Sequence, residues 1–98
     1  KEQTTWVHLR SLMELSYVRW LDINSIRWKY EPRLFQLSEN KYLPDFYLID
    51  LNEWHEVKGR WMGKSKIKFE EVQELYPNET FKLIDIKKIK EIRKQLEE

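Results

Sequence analysis

The chain has 98 residues, 36% of them charged, with 5 Trp, 5 Tyr and 4 Phe and a net charge of +1. That length makes one domain, and the aromatic residues supply enough bulk for a core, which excludes a disordered segment. The lack of cysteine excludes a disulfide frame and any thiolate metal site, and no apolar run approaches the ~18 residues that a membrane span needs.

Residues 1–8 carry no clear pattern and read as an irregular lead-in, with Trp6 and Val7 packing against the body. From Ser11 the pattern is helical, with Leu12, Met13, Tyr17, Trp20 and Leu21 on one side at a 3.6 period. Ser11 and Glu14 fit a capping box, in which Glu14 reaches back to the Ser11 amide, and Asn24 suits the helix end. Glu14 also lies at the edge of the apolar stripe, where it can enter a site on a sheet. Residues 26–31 alternate apolar and polar as a half-buried strand does, until Pro32 stops them. Residues 34–37 predict a second short strand and residues 38–41 a turn.

Residues 43–49 and 54–58 then flank a short polar connection, the pattern of an antiparallel hairpin. Side chains alternate along a strand, so Glu56 and Lys58 share one face and Val57 and His55 the other. Asp45, near the start of the first strand, falls beside Glu56 across the pair. Two carboxylates and an ammonium at one end of a hairpin suit a magnesium-type ion, which takes oxygen ligands and substrate phosphate. They suit a metal-dependent phosphodiester hydrolase, in which the lysine holds a phosphate or steadies an attacking hydroxide. A lone Glu-x-Lys is more often a plain cross-strand ion pair; Asp45, on the preceding strand, favours the site. Gly59 permits a sharp change of direction directly after it.

Beyond the hairpin, residues 60–63 form a connection, residues 64–76 a helix with Phe69, Val72, Leu75 and Tyr76 inward, and residues 81–86 a strand. Residues 87–98 close the chain as an amphipathic helix with Ile89, Ile92 and Leu96 apolar. The fold class is α/β of the α+β kind: a mixed central sheet of four to five strands flanked by helices, with a βαβ crossover through the 64–76 helix.

Charge is unevenly spread. Residues 1–57 hold seven Lys/Arg against nine Asp/Glu, and residues 58–98 hold eleven against eight. Lys58, Arg60, Lys64, Lys66 and Lys68 follow one another with no acid between them, as a phosphate backbone would require, although a solvated helix start has the same look. Trp61 within that run is a candidate to stack on a base, but a Trp beside a helix start more often packs. His55 is expected to pack and His8 to be solvated, and two histidines without cysteine are too few for a zinc nuclease.

Pro44-Asp45 with Glu56-Val57-Lys58 resembles the signature of the PD-(D/E)XK nucleases. Arg10-Ser11 with Glu14, Trp28-x-Tyr30-Glu31, Tyr42-x-Pro44-Asp45-Phe46, Glu56-Val57-Lys58-Gly59-x-Trp61 and Leu75-Tyr76-Pro77 are similar to the bacteriophage endonuclease I group, which resolves four-way DNA junctions. The resemblance spans residues 10 to 85 and implies a restriction-endonuclease-like core. It implies Glu14, Asp45 and Glu56 as metal ligands, with the Val57 carbonyl beside them, and Lys58 acting with the attacking water. The cofactor would be Mg2+ or Mn2+, with no small-molecule cofactor. Arg10, Arg60, Trp61, Lys64, Lys66 and Lys68 are the candidate DNA contacts.

The expectation is therefore a metal-dependent endonuclease acting on branched or distorted DNA as a homodimer. It would be cytoplasmic, in a bacterial or phage-infected cell, since neither a signal peptide nor a membrane span is evident. The alternatives are the nuclease module of a homing-type enzyme, a non-catalytic nucleic-acid-binding module and, since nothing here reads the 2′-hydroxyl, an RNA-directed nuclease. The whole sequence is read as one domain, and its start at Lys1 rather than Met suits a piece of a longer protein.

Overall fold

Residues 9–97 are described by the computed structural model, so the expected packing of Trp6 and Val7, and His8, lie outside the described residues. Helix α1 spans Leu12–Ile23. Ser11 caps it as expected, its hydroxyl accepting the Glu14 N–H at 3.1 Å. The return bond of the capping box goes elsewhere: the Glu14 carboxylate accepts the Arg10 amide at 2.8 Å, one residue before Ser11. Tyr17, Val18 and Leu21 are the apolar residues buried on α1. Leu12, expected inward, overhangs the first turn at 75% exposure, because the face that meets the sheet is centred nearer Val18.

The central sheet has four strands in the order β1-β4-β5-β6, with β1 Trp28–Tyr30, β4 Phe46–Leu48, β5 Glu53–Val57 and β6 Phe81–Ile84. Strands β1, β4 and β5 pair antiparallel, and β5 pairs parallel with β6, so the sheet is mixed. The parallel step is made through α2, Ser65–Leu75, as the crossover pattern predicts. Short strands β2, Phe35–Gln36, and β3, Lys41–Tyr42, form a separate two-stranded ribbon. Residue 41 therefore belongs to a strand, not to the expected turn, and the 34–37 strand does not join the central sheet. The aromatic rings explain why: Phe35 packs edge-on against Trp54, Tyr76 and Phe81, which lifts the ribbon onto the face of the sheet.

Strand β6 ends at Ile84, two residues before the expected end, because Asp85 caps the last helix, α3, Ile86–Gln95. The Asp85 carboxylate accepts the Lys88 N–H at 3.0 Å.

Two apolar clusters lie on the two faces of the sheet. One gathers Tyr17, Leu21, Phe46, Leu48, Val57, Ile84, Ile89 and Ile92 under α1 and α3. The other gathers Phe35, Leu37, Tyr42, Trp54, Phe69, Val72 and Phe81 under α2 and the ribbon. Leu75 is half exposed rather than inward, and Tyr76 takes its place, its hydroxyl donating to the Gln36 carbonyl at 2.9 Å. Strand β5 alternates between the clusters, with Trp54 in one and Val57 in the other, so one strand organises both. Its covered faces leave little room for a polar side chain, yet His55 and Glu56 are both buried there.

Candidate active site

The β4–β5 register pairs Phe46 with His55, so the next step of the antiparallel ladder sets Asp45 against Glu56. This is the juxtaposition that alternation along the two strands predicts. Both carboxylates are buried, at 3% and 6% exposure, among the walls of an open cleft of ≈ 610 Å³. Arg10, Glu14, Lys41, Tyr42, Lys58, Lys64 and Lys68 share those walls.

Each carboxylate has its own set of donors. Asp45 Oδ2 accepts the Val57 backbone N–H at 2.7 Å, which pins the side chain to the neighbouring strand. Its Oδ1 faces the Arg10 guanidinium at 3.2 Å, and the same guanidinium lies 2.5 Å from Glu31 Oε2. Glu56 Oε1 accepts the Tyr42 hydroxyl at 2.7 Å, while Lys58 Nζ lies 3.5 Å from Oε2. Glu14 Oε1 accepts the Tyr30 hydroxyl at 2.9 Å as well as the Arg10 amide.

Charge is crowded here. Burial, with the nearby Glu56 and Glu14 charges adding to it, pushes the Asp45 carboxyl up to about 7, against the pull of the Val57 amide and Arg10. Burial raises Glu56 too, partly offset by the Tyr42 hydroxyl and Lys58. The Tyr42 hydroxyl is pushed up by burial and by the Glu56 charge, and Tyr30 is raised to about 12 by burial and its bond to Glu14. Both tyrosines therefore stay protonated as donors at neutral pH. Burial is the leading cause for both carboxyls, and Arg10 pulls against it at each, with Lys58 adding to the pull at Glu56.

The donor chemistry suits a hard divalent cation, which takes oxygen ligands and is commonly held by one or two carboxylates. Asp45 and Glu56 supply the pair, side by side on adjacent strands at the cleft. Among the described residues no three Asp, Glu or His side chains are gathered closely enough to enclose a metal by themselves. Glu14 in particular is turned to Tyr30 and the Arg10 amide.

The basic run divides. Lys64 and Lys68 line the cleft, one helical turn apart, and so does Lys41 from the ribbon. Arg60, Trp61 and Lys66 do not line it. Trp61 packs on Phe69, ring centroids 5.6 Å apart, on the edge of the second apolar cluster. Sequence reasoning passed over Lys41, because it reads as a turn residue, and gave Tyr30 and Tyr42 no role beyond their place in the motifs. Gly59 has no left-handed backbone. Its role is close approach, since a Cβ there would meet Met13 Sδ at 3.2 Å. The left-handed glycine is Gly63, φ 57°, just before α2.

On the other face, His55 packs as expected. Its Nδ1 bonds the Tyr17 hydroxyl and its Nε2 lies 2.9 Å from Glu53 Oε1. Burial lowers the His55 pKa despite Glu53, so the ring is neutral at pH 7. It faces away from the carboxylates and takes no part in the site.

Comparison with protein-family models, with curated proteins and with solved structures finds no match to the chain. Among the described residues no helix is long and apolar enough to cross a membrane.

Proposed function

We propose that this protein is a metal-dependent DNA endonuclease with a restriction-endonuclease-like core of the PD-(D/E)XK kind. The observation that carries the reading is the pair Asp45 and Glu56, buried side by side at a cleft whose other walls carry lysines. Clustered buried carboxylates repel phosphate, so a module that only binds nucleic acid has no use for them. The same geometry disfavours the non-catalytic alternative.

Asp45, Glu56 and the Val57 carbonyl would hold Mg2+ or Mn2+, with Glu14 adding charge from the first helix. When bound, such an ion supplies positive charge to the reacting phosphate and makes a bound water more acidic. Tyr42 and the Val57 amide keep the two carboxylates oriented. Lys58, anchored on Glu56, steadies the attacking water for in-line displacement. Lys41, Lys64 and Lys68 hold the flanking phosphates.

One such site cuts one strand, so paired cuts call for a homodimer. Few elements remain free to read a long sequence, which favours recognition of branched or distorted DNA by backbone shape. The test is cleavage of a four-way junction, matched linear duplex and single strand with and without Mg2+, alongside sedimentation at low micromolar concentration. Mg2+-dependent cutting that favours the junction, by a dimer, is expected. Metal-independent binding without cleavage would leave the binding module, and a monomer that cuts one defined duplex would point to a homing-type nuclease module.

Salt dependence follows from the division of the basic run. Each phosphate neutralised on duplex DNA contributes roughly −0.9 to the slope of log K against log salt. Replacing Lys64 and Lys68 by Ala should therefore flatten the slope by about two contacts, while Lys66→Ala leaves it unchanged. Equal effects from Lys66 and Lys68 would mean that the cleft does not carry the DNA.

A further inference from the structure

Arg10 bridges Asp45 and Glu31. Its backbone is fixed beside the N-cap of α1, where its amide donates to Glu14. Its side chain is 62% exposed, yet the guanidinium lies 3.2 Å from Asp45 Oδ1 and 2.5 Å from Glu31 Oε2. Glu31 has φ 48°, an unusual conformation for a residue before proline, and its N–H donates to the Asp45 carbonyl at 2.8 Å. No hydrogen bond reaches Glu31 Oε2, so the guanidinium's charge is what answers it. Asp45 Oδ2 accepts the Val57 amide, and Arg10 covers the other oxygen, Oδ1, which no backbone donor occupies.

From this arrangement we infer that Arg10 is a built-in stand-in for the divalent cation: it covers Asp45 while the metal is away and exchanges that carboxylate for a DNA phosphate when the metal arrives. The inference rests on the nuclease reading above. A guanidinium and a divalent cation cannot share Oδ1 without strong repulsion between like charges. The Arg10 side chain is exposed enough to swing, and it lines the same cleft as Lys64 and Lys68. Its planar fork suits a phosphate as well as it suits a carboxylate. One side chain then makes metal entry and phosphate capture a single coupled event, and metal alone binds weakly because it must first displace Arg10.

The experiment compares wild type with Arg10→Gln in two assays at pH 8. The first is calorimetric titration of the DNA-free protein with MnCl2. The second is binding of a four-way junction in CaCl2, and a thermal melt of each protein confirms that both are folded. Arg10→Gln should bind Mn2+ at least fivefold more tightly than wild type, yet bind DNA several-fold more weakly, a reciprocal pattern. A residue that only contacts DNA would change the second assay alone, and a purely structural one would weaken both; either result overturns the exchange. Should Arg10→Gln melt too low to titrate, Arg10→Lys, which keeps the charge on a shorter stem, should hold Mn2+ affinity between wild type and fivefold tighter. Lys weaker than wild type would overturn the inference. Failure of wild type to bind Mn2+ at all would overturn the nuclease reading with it, whereas wild-type binding and cleavage with no gain in the variant would overturn the exchange alone.

Discussion

Asp45→Asn and Glu56→Gln, made singly, should abolish cleavage and leave the metal-free protein more stable at pH 8. Each change removes one charge that would hold the metal, an effect of several kcal/mol on the reacting phosphate and so roughly 10²-fold or more in rate. Neither removes packing, since an amide has the shape of the carboxylate. The gain in stability follows from the raised Asp45 carboxyl. Between about pH 4 and about pH 7 the unfolded chain has lost a proton that folded Asp45 keeps, so stability falls as pH rises through that window. The raised Glu56 carboxyl adds a fall of the same sign. His55 works the other way: its lowered pKa means that stability rises with pH up to the ordinary histidine range. Asn at position 45 removes the largest fall, and the variant should gain roughly 1–3 kcal/mol at pH 8 and little at pH 4. Urea melts at the two pH values measure this directly. Cleavage within tenfold of wild type would sink the assignment of the site, and a loss of stability at pH 8 would sink the account of its charge.

Lys58→Ala should separate turnover from metal binding. Lys58 touches Glu56 from outside the carboxylate pair and is about one-third exposed, so its loss leaves both carboxylates on their Tyr42 and Val57 donors. A group that steadies the attacking water contributes about 10²–10⁴-fold. The expected result is therefore single-turnover cleavage lower by that factor, with Mn2+ affinity unchanged or slightly higher because a cation has left Glu56. Retained turnover with lost metal affinity would invert the assignment, making Lys58 a support for the site and not a participant in the chemistry.

The hairpin was legible because β-alternation is a period of two, and a period of two decides which residues can meet. Asp45 against Glu56 and Val57 turned away follow from it without any tertiary knowledge. The Ser11 cap was equally local. What local pattern could not reach was the destination of long side chains. Arg10 travels to Asp45 and Glu31, 35 and 21 positions on, and nothing near Arg10 in the chain encodes that reach. Tyr30 and Tyr42 stand in the sequence only as motif aromatics; their hydroxyls matter because the structure brings them to the Glu14 and Glu56 carboxylates. The ribbon was missed for a different reason. Two-residue strands carry too little alternation to say which partner they take, and the choice was made by Phe35 among Trp54, Tyr76 and Phe81. Leu12 and Leu75 were misplaced because a 3.6 period gives the width of an apolar face but not its centre.

The two outer helices on one side of the sheet are stitched together across almost the whole chain. Trp20 Nε1 donates to Gln95 Oε1 at 2.8 Å, and Arg93 Nε donates to the Ser16 hydroxyl at 3.0 Å, over separations of 75 and 77 residues. The β4–β5 hairpin, by contrast, closes over fewer than ten residues. Such a difference in separation sets an order of assembly, since long loops are slow to close. Asp45 and Glu56 come together early, while Glu14 and Arg10, carried at the head of α1, arrive only when that helix packs on the sheet. Pulse-labelled hydrogen exchange during refolding should find the β4 and β5 amides protected before those of α1; simultaneous protection would refute the order. On the proposed reading the site would therefore be assembled in two stages, the hairpin's carboxylates first and the α1 residues after them.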